Sequence, residues 1–248
     1  MKVTIAAVAA ATAAALSLVT AGTATGQPIA HHGQPKAAPQ ITGPRLRTGL
    51  LPASAFGANF TVENTLNTGG TLLSSTKVTL HVPTASCSTF EGEIYVSGFG
   101  NTAGALDQYV NPDAAMQRPE AVIDGLQDVV QFATTAAATT FLTQAQAKYA
   151  ACLSFSEPNP TDTNPGGGTF QISTLSVAKT TVSGDQAFTV TEAIALSEKP
   201  GLTQYIDVLY VLASTNVYSM WQYSGTNDEP SAVLMAKLIR QVQALYPH

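Results

Sequence analysis

The sequence predicts an α+β domain: a single antiparallel β-sheet with helices packed mainly on one face, closed by one disulfide. Three observations carry this. Four extended, β-branched segments follow one another between Phe170 and Tyr223 with short connections, and short connections join antiparallel neighbours. Two stretches flanking those strands space their apolar residues three or four apart, as one face of a helix requires. Of 248 residues, 45% are apolar and 11% charged, too apolar for a chain that stays unfolded.

Taken in order, Leu50-Leu51-Pro52-Ala53-Ser54-Ala55-Phe56-Gly57 reads as one or two helical turns, with Pro52 in the first turn and Gly57 as the stop. Gly104–Val110 and Ala121–Phe132 read as strands. Thr134 or Thr135 caps a helix running to about Cys152, whose apolar side is Ala138, Phe141, Leu142, Ala145, Tyr149 and Cys152. The four strands that follow are Phe170–Lys179, Ala187–Leu196, Thr203–Ala213 and Val217–Tyr223. In the second, Phe188, Val190, Ile194 and Leu196 alternate with Thr and Ala, the pattern of one strongly apolar face. The third is apolar on both faces and belongs in the middle of the sheet. Ser214-Thr215-Asn216 is a connection of hairpin length. A last helix starts at Asn227 or Asp228 with Pro230 in its first turn, presents Leu234, Leu238, Val242 and Leu245 to the core, and ends before Pro247.

The chain ahead of this domain has a different character. Lys2 followed by the uncharged stretch Val3–Val19 and then small residues reads as a secretory signal peptide over residues 1–24. The stretch is shorter and richer in Ala and Thr than a membrane anchor of ~20 apolar residues. Residues 25–45, with Pro28, Pro35, Pro39 and Pro44, read as a Pro/Gly-rich disordered tether. His31 and His32 lie there as solvated polar residues. Residues 46–248 then form one domain of a secreted protein, with no integral membrane segment left after cleavage. Export brings the chain's only two cysteines, Cys87 and Cys152, into an oxidising compartment. One disulfide is expected, and closing a loop of this length stabilises a domain by ~4 kcal/mol in the chain-entropy view.

Several function classes are excluded by composition or by weak motifs. A net charge of −5 offers no basic surface for nucleic acid. Four histidines and two cysteines leave few metal ligands, so no metal and no cofactor is expected. Ser74–Lys77 and Ser176–Lys179 match S-x-x-K and Ser214-Thr215-Asn216 resembles a second acyl-enzyme element, but the K-T-G element is missing. A Ser-His-Asp arrangement would have to use His81 or His248. Glu91 with Glu93, and Asp124 with Asp128, are spaced as carboxylate pairs, although solvated faces explain both. Asp162–Gly166 begins like a calcium loop, yet Pro165 intrudes and Ser173 stands where the closing Glu belongs. No catalytic residue is assigned. The aromatic set Tyr205, Tyr210, Tyr218, Trp221 and Tyr223 is the candidate lining of a ligand cleft.

A resemblance adds a role. Leu50-Leu51-Pro52-Ala53, Cys87, the helix ending Tyr149-Ala150-Ala151-Cys152, the strand pair around Ala213-Ser214-Thr215-Asn216-Val217-Tyr218 and the closing amphipathic helix come in an order that resembles the PknH-like extracellular sensor domain family. That family sits at the outer end of actinobacterial serine/threonine kinases and also occurs as free-standing exported proteins. Tyr149 stands where a Trp is common in the family, and the family's second disulfide has no counterpart after Cys152. The resemblance implies a non-enzymatic α+β sensor domain without a kinase domain, binding a small molecule, an envelope component or a protein outside the cell. The competing expectations are a secreted hydrolase with an unrecognised Ser/His/Asp constellation and an envelope-associated interaction module.

Overall fold

In a computed structural model, the described residues are 39–67, 82–83, 90–91, 101–111, 122–158, 169–196, 201, 203–226 and 230–247. The β-branched and aromatic stretches become strands: β1 (Thr61–Asn67), β2 (Val82–Pro83), β3 (Phe90–Glu91), β4 (Asn101–Val110), β5 (Val122–Phe132), β6 (Ser154–Pro158), β7 (Thr169–Val182), β8 (Asp185–Leu196), β9 (Thr203–Ala213) and β10 (Asn216–Ser224). Three α-helices accompany them, α1 (Gly43–Arg47), α2 (Thr135–Ala151) and α3 (Ala232–Gln243), with a 3-10 turn at Ala53–Ala55. Among the described residues, eight strands form one sheet in the order β1-β4-β5-β10-β9-β8-β7-β6, while β2 and β3 pair separately. Every pairing is antiparallel. The turns have the backbone that hairpins demand. Ser183 and Gly184 both take positive φ (54° and 90°), and Ser214 does so at 59° at the head of the β9–β10 turn.

The last-strand insertion organises the sheet. β10 lies between β5 and β9, so it joins a β1-β4-β5 half to a β9-β8-β7-β6 half. β9, expected centrally, is indeed an inner strand, buried along most of its length on both faces.

The expectation of helices mainly on one face is corrected. Strand alternation sends Val130, Phe132, Phe188, Val190, Val208, Tyr210 and Val217 to one face, where α2 covers them with Ala138, Phe141, Leu142, Ala145 and Tyr149. Val129, Ala187, Leu209, Val211, Tyr218 and Met220 go to the other face, covered by Leu46, Leu50 and Leu51 and by Met235, Leu238, Ile239 and Val242 of α3. Polar residues of this face are buried as well, and bonded. Thr191 Oγ1 donates to Asp207 Oδ1 at 2.7 Å, and Gln127 Oε1 accepts from the Leu51 amide at 2.9 Å. Hydrogen bonding lets such residues sit inside at little net cost, which is why alternation alone did not reveal the second covered face.

Local signals account for the helix ends. Thr134 caps α2, its Oγ1 accepting from Ala137 N at 3.1 Å. α3 begins at Ala232 rather than Asn227 or Asp228, because Ser231 supplies the cap, accepting from Leu234 N at 3.3 Å. Its buried stripe is accordingly Met235, Leu238, Ile239 and Val242, with Leu234 and Leu245 half-buried beside it. Packing also starts before residue 46. Ile41 is 8% exposed and joins the core around α3, its amide donating to Gln131 Oε1 at 3.2 Å. Arg47 Nε meets Asp107 Oδ1 at 3.3 Å and ties α1 to β4.

Candidate functional site

On the α2 side, the register lines up chemically active side chains in rows across the strands. Asp128 faces Ser219, which faces Tyr210, which faces Phe188. Four residues away along each strand, Asp124 faces Tyr223, Tyr223 faces Ile206 and Ile206 faces Glu192. Trp221 lies between the two rows, opposite Leu126 and Val208.

The first row is a buried polar chain under α2. Asp128 is 0% exposed; its Oδ2 accepts from Ser219 Oγ at 2.5 Å, while Oδ1 has no hydrogen-bond partner. Burial pushes this carboxyl up to about 8, against a lowering by the Ser219 hydrogen bond, so it carries its proton at neutral pH. Tyr149 of α2 brings its hydroxyl to 3.4 Å from that of Tyr210. Tyr210 in turn stacks on Phe188, ring centroids 4.7 Å apart. Both tyrosines are pushed well above their ordinary range, by burial first; the proximity of Glu192 adds to it in each. They remain neutral phenols. At the end of α2, Thr174 Oγ1 donates to the Cys152 carbonyl at 2.7 Å and lies 3.4 Å from Glu192 Oε1.

The second row opens outward. Trp221 and Tyr223 are half-buried. Gln108 Nε2 donates to Asp124 Oδ2 at 3.0 Å, and the Tyr223 hydroxyl donates to Gln204 Oε1. Burial, then the Asp124 charge, pushes Tyr223 up to about 12. This strip offers two aromatic surfaces, a carboxylate and two amides within reach of one another, the ingredients of a polar ligand seat.

The expected aromatic cleft is only partly assembled. Tyr210, Trp221 and Tyr223 share the α2 face, whereas Tyr205 and Tyr218 project to the opposite one. Tyr210 and Tyr218 are 0% exposed and serve as core. Of the five, Trp221 and Tyr223 combine a common face with partial accessibility. The solvated face expected for Asp124 and Asp128 is corrected: Asp128 is fully buried, as is Glu192, an acid that no sequence motif marks. The signal was there in the i, i+2 alternation, which places Asp124, Leu126, Asp128 and Val130 on one apolar face.

Cys152 ends α2 and is 2% exposed; Cys87 lies outside the described residues. So do all four histidines, the Ser74–Lys77 motif, Glu93 and the Asp162–Gly166 loop, while Glu91 is described in its backbone only. Ser176 and Lys179 lie in β7 and are exposed, not at a helix start. Among the described residues there is no group of three or more His, Cys, Asp or Glu placed to hold a metal, and no helix is long and apolar enough to cross a membrane.

Fold and site together define an antiparallel α+β domain with a two-sided core and an aromatic, acid-flanked strip beside its covering helix. The same fold is found in the crystal structure of the extracellular domain of PknH from Mycobacterium tuberculosis, with a TM-score of 0.56 at 14% sequence identity, over 82% of this chain and 97% of that one. Neither a protein-family model nor a curated protein matches the sequence.

Proposed function

We propose that the protein is an exported, non-catalytic sensor domain that binds an extracellular ligand along the strip formed by Trp221, Tyr223, Asp124, Gln108 and Gln204. The observation that carries this is the pairing of two half-buried aromatic side chains on one face of β10, flanked by hydrogen-bonding groups. Aromatics held in this way give large contact area at low entropic cost. The fold shared with the extracellular domain of PknH supports the reading, as do the signal-like residues 1–24, the Pro-rich segment after them and the expected Cys87–Cys152 cross-link. The ligand is a small molecule, an envelope component or a protein segment that presents hydrogen-bond donors to Asp124 and Gln204.

Trp221 is the only tryptophan in the chain, so its fluorescence reports on this strip alone. Native mass spectrometry of the exported protein from its own culture should show an extra mass that is lost on denaturation. Adding the released compound back should change the Trp221 emission, and Tyr223→Ala should weaken that response. A protein that carries no added mass and whose emission is indifferent to envelope extracts would overturn the proposal, as would a bound compound that leaves Trp221 unperturbed.

A further inference from the structure

The turn end of the β9–β10 hairpin, the end of α3 and Pro39 enclose an open pocket of about 220 Å3, lined by Pro39, Ser214, Thr215, Asn216, Gln243 and Tyr246. It is separate from the strip described above. Asn216 and Trp221 belong to opposite faces of β10 and stand five residues apart, about 17 Å along a strand. We propose that this pocket binds one uncharged sugar ring or an equivalent small polyol.

The lining chemistry selects that class. Two hydroxyls, two carboxamides and a phenol line it; Asn216 and Tyr246 are engaged with each other and with Tyr218 and Gln131, while Ser214, Thr215 and Gln243 carry groups that both donate and accept, as the hydroxyls of a polyol do. Among the described residues no charged side chain lines the pocket, so an ionic ligand would lose hydration without gaining a counter-charge from them. Arg45, next to the α3 end, has its guanidinium Nη2 on the Leu245 carbonyl at 2.8 Å. The rings of Pro39 and Tyr246 supply apolar surface for the C–H face of a sugar. At ~220 Å3 the pocket falls below the ~300 Å3 of drug-sized sites, and one ring is the fitting scale.

The polar floor is held in place before any ligand arrives. Asn216 is 2% exposed. Its Nδ2 lies 2.9 Å from the Tyr246 hydroxyl and 3.2 Å from that of Tyr218, and the Tyr246 hydroxyl lies 3.1 Å from Asn216 Oδ1. Gln131 Nε2 donates to the same Tyr246 hydroxyl at 2.6 Å. Ser214, at φ 59°, holds a backbone conformation more usual for Gly or Asn.

Saturation-transfer NMR on the full chain, with methyl α-glucopyranoside and methyl α-mannopyranoside against glucuronate and glucosamine, tests this. Transfer is expected to a neutral glycoside at millimolar concentration, with the charged sugars at least about tenfold weaker, the equivalent of ~1.4 kcal/mol. Gln243→Trp, at an exposed position of α3, should fill the pocket and weaken binding about tenfold with an unchanged unfolding midpoint. Ser214→Gly, which suits the positive φ, should retain the fold and weaken binding through the lost hydroxyl. Comparing each glycoside with a trisaccharide ending in the same ring distinguishes a free sugar from a glycan terminus, and transfer to either supports the site. No transfer to any neutral ring, transfer that survives Gln243→Trp, or a charged sugar bound as tightly as the neutral one would overturn it. Failure here leaves the Trp221 strip untouched, since the two are read by different signals.

Discussion

Replacing Gln127 with Leu isolates the device that fastens the N-terminal segment to the sheet. Gln127 is 0% exposed and Leu51 1%. The Gln127 side chain holds both backbone groups of Leu51: Oε1 accepts from its amide at 2.9 Å and Nε2 donates to its carbonyl at 2.7 Å. The Tyr109 hydroxyl also donates to that carbonyl, at 2.6 Å. In Gln127→Leu the carbonyl keeps Tyr109, but the Leu51 amide is left buried without a partner. An orphaned buried donor costs about 1–3 kcal/mol, and the lost bond from Nε2 adds about 1 kcal/mol. Sparing the desolvation of an amide returns part of this, which leaves a net loss of roughly 2–3 kcal/mol. With a urea slope of about 2 kcal/mol/M, the midpoint should drop by about 1–1.5 M at constant slope. Hydrogen exchange at the Leu51 amide should accelerate in step. A midpoint that moves by less than about 0.2 M, with Leu51 protection intact, would refute the reasoning.

Three further outcomes are expected. The folded Asp128 carboxyl is raised from 3.8 to about 8, so between those values the native state holds a proton that the unfolded chain has lost. Stability therefore declines as pH rises from about 4 to about 8 and levels off above it; Asp128→Asn should flatten the decline in urea midpoints, and an unchanged slope would contradict the assignment. Gly49→Ala would place a Cβ 2.9 Å from Val242 Cγ2 and 3.0 Å from Val242 Cα, and forcing the α1 turn off α3 should cost about 1–3 kcal/mol, read as a lower thermal midpoint. Mass spectrometry of the unreduced protein should find no alkylatable thiol at Cys87 or Cys152, and two reactive thiols would end the disulfide proposal.

Much of the fold was legible because it rests on local periodicity. α2 matches its expected face residue for residue through Tyr149, and β9 runs over the expected Thr203–Ala213, since both have strong patterns and clear ends. The second covered face was not legible. Gln127, Gln131, Thr189 and Thr191 are polar in sequence, and only tertiary partners reveal that they are buried. The start of α3 was misplaced for a related reason: Asn227, Asp228 and Ser231 are all good caps, and the Met235–Val242 stripe selects among them only once the sheet is present. The candidate site was half legible. Alternation marks Trp221 and Tyr223 as neighbours on one face, but it takes pairing across strands distant in sequence to bring Asp124 beside them.

The place of β10 also dictates when this protein can become itself during synthesis. Ser219 and Asp128, bonded across β10 and β5, are 91 residues apart in the chain, and β10 alone bridges the two halves of the sheet. Until residues 216–224 have been made, β5 and β9 are both unfinished edges, and the polypeptide has two half-sheets with nothing between them. Non-local pairing of this kind is slow and leaves adhesive edges exposed meanwhile. The eight-stranded sheet therefore cannot close until residues 216–224 have been made, however early its two halves acquire their own hairpins.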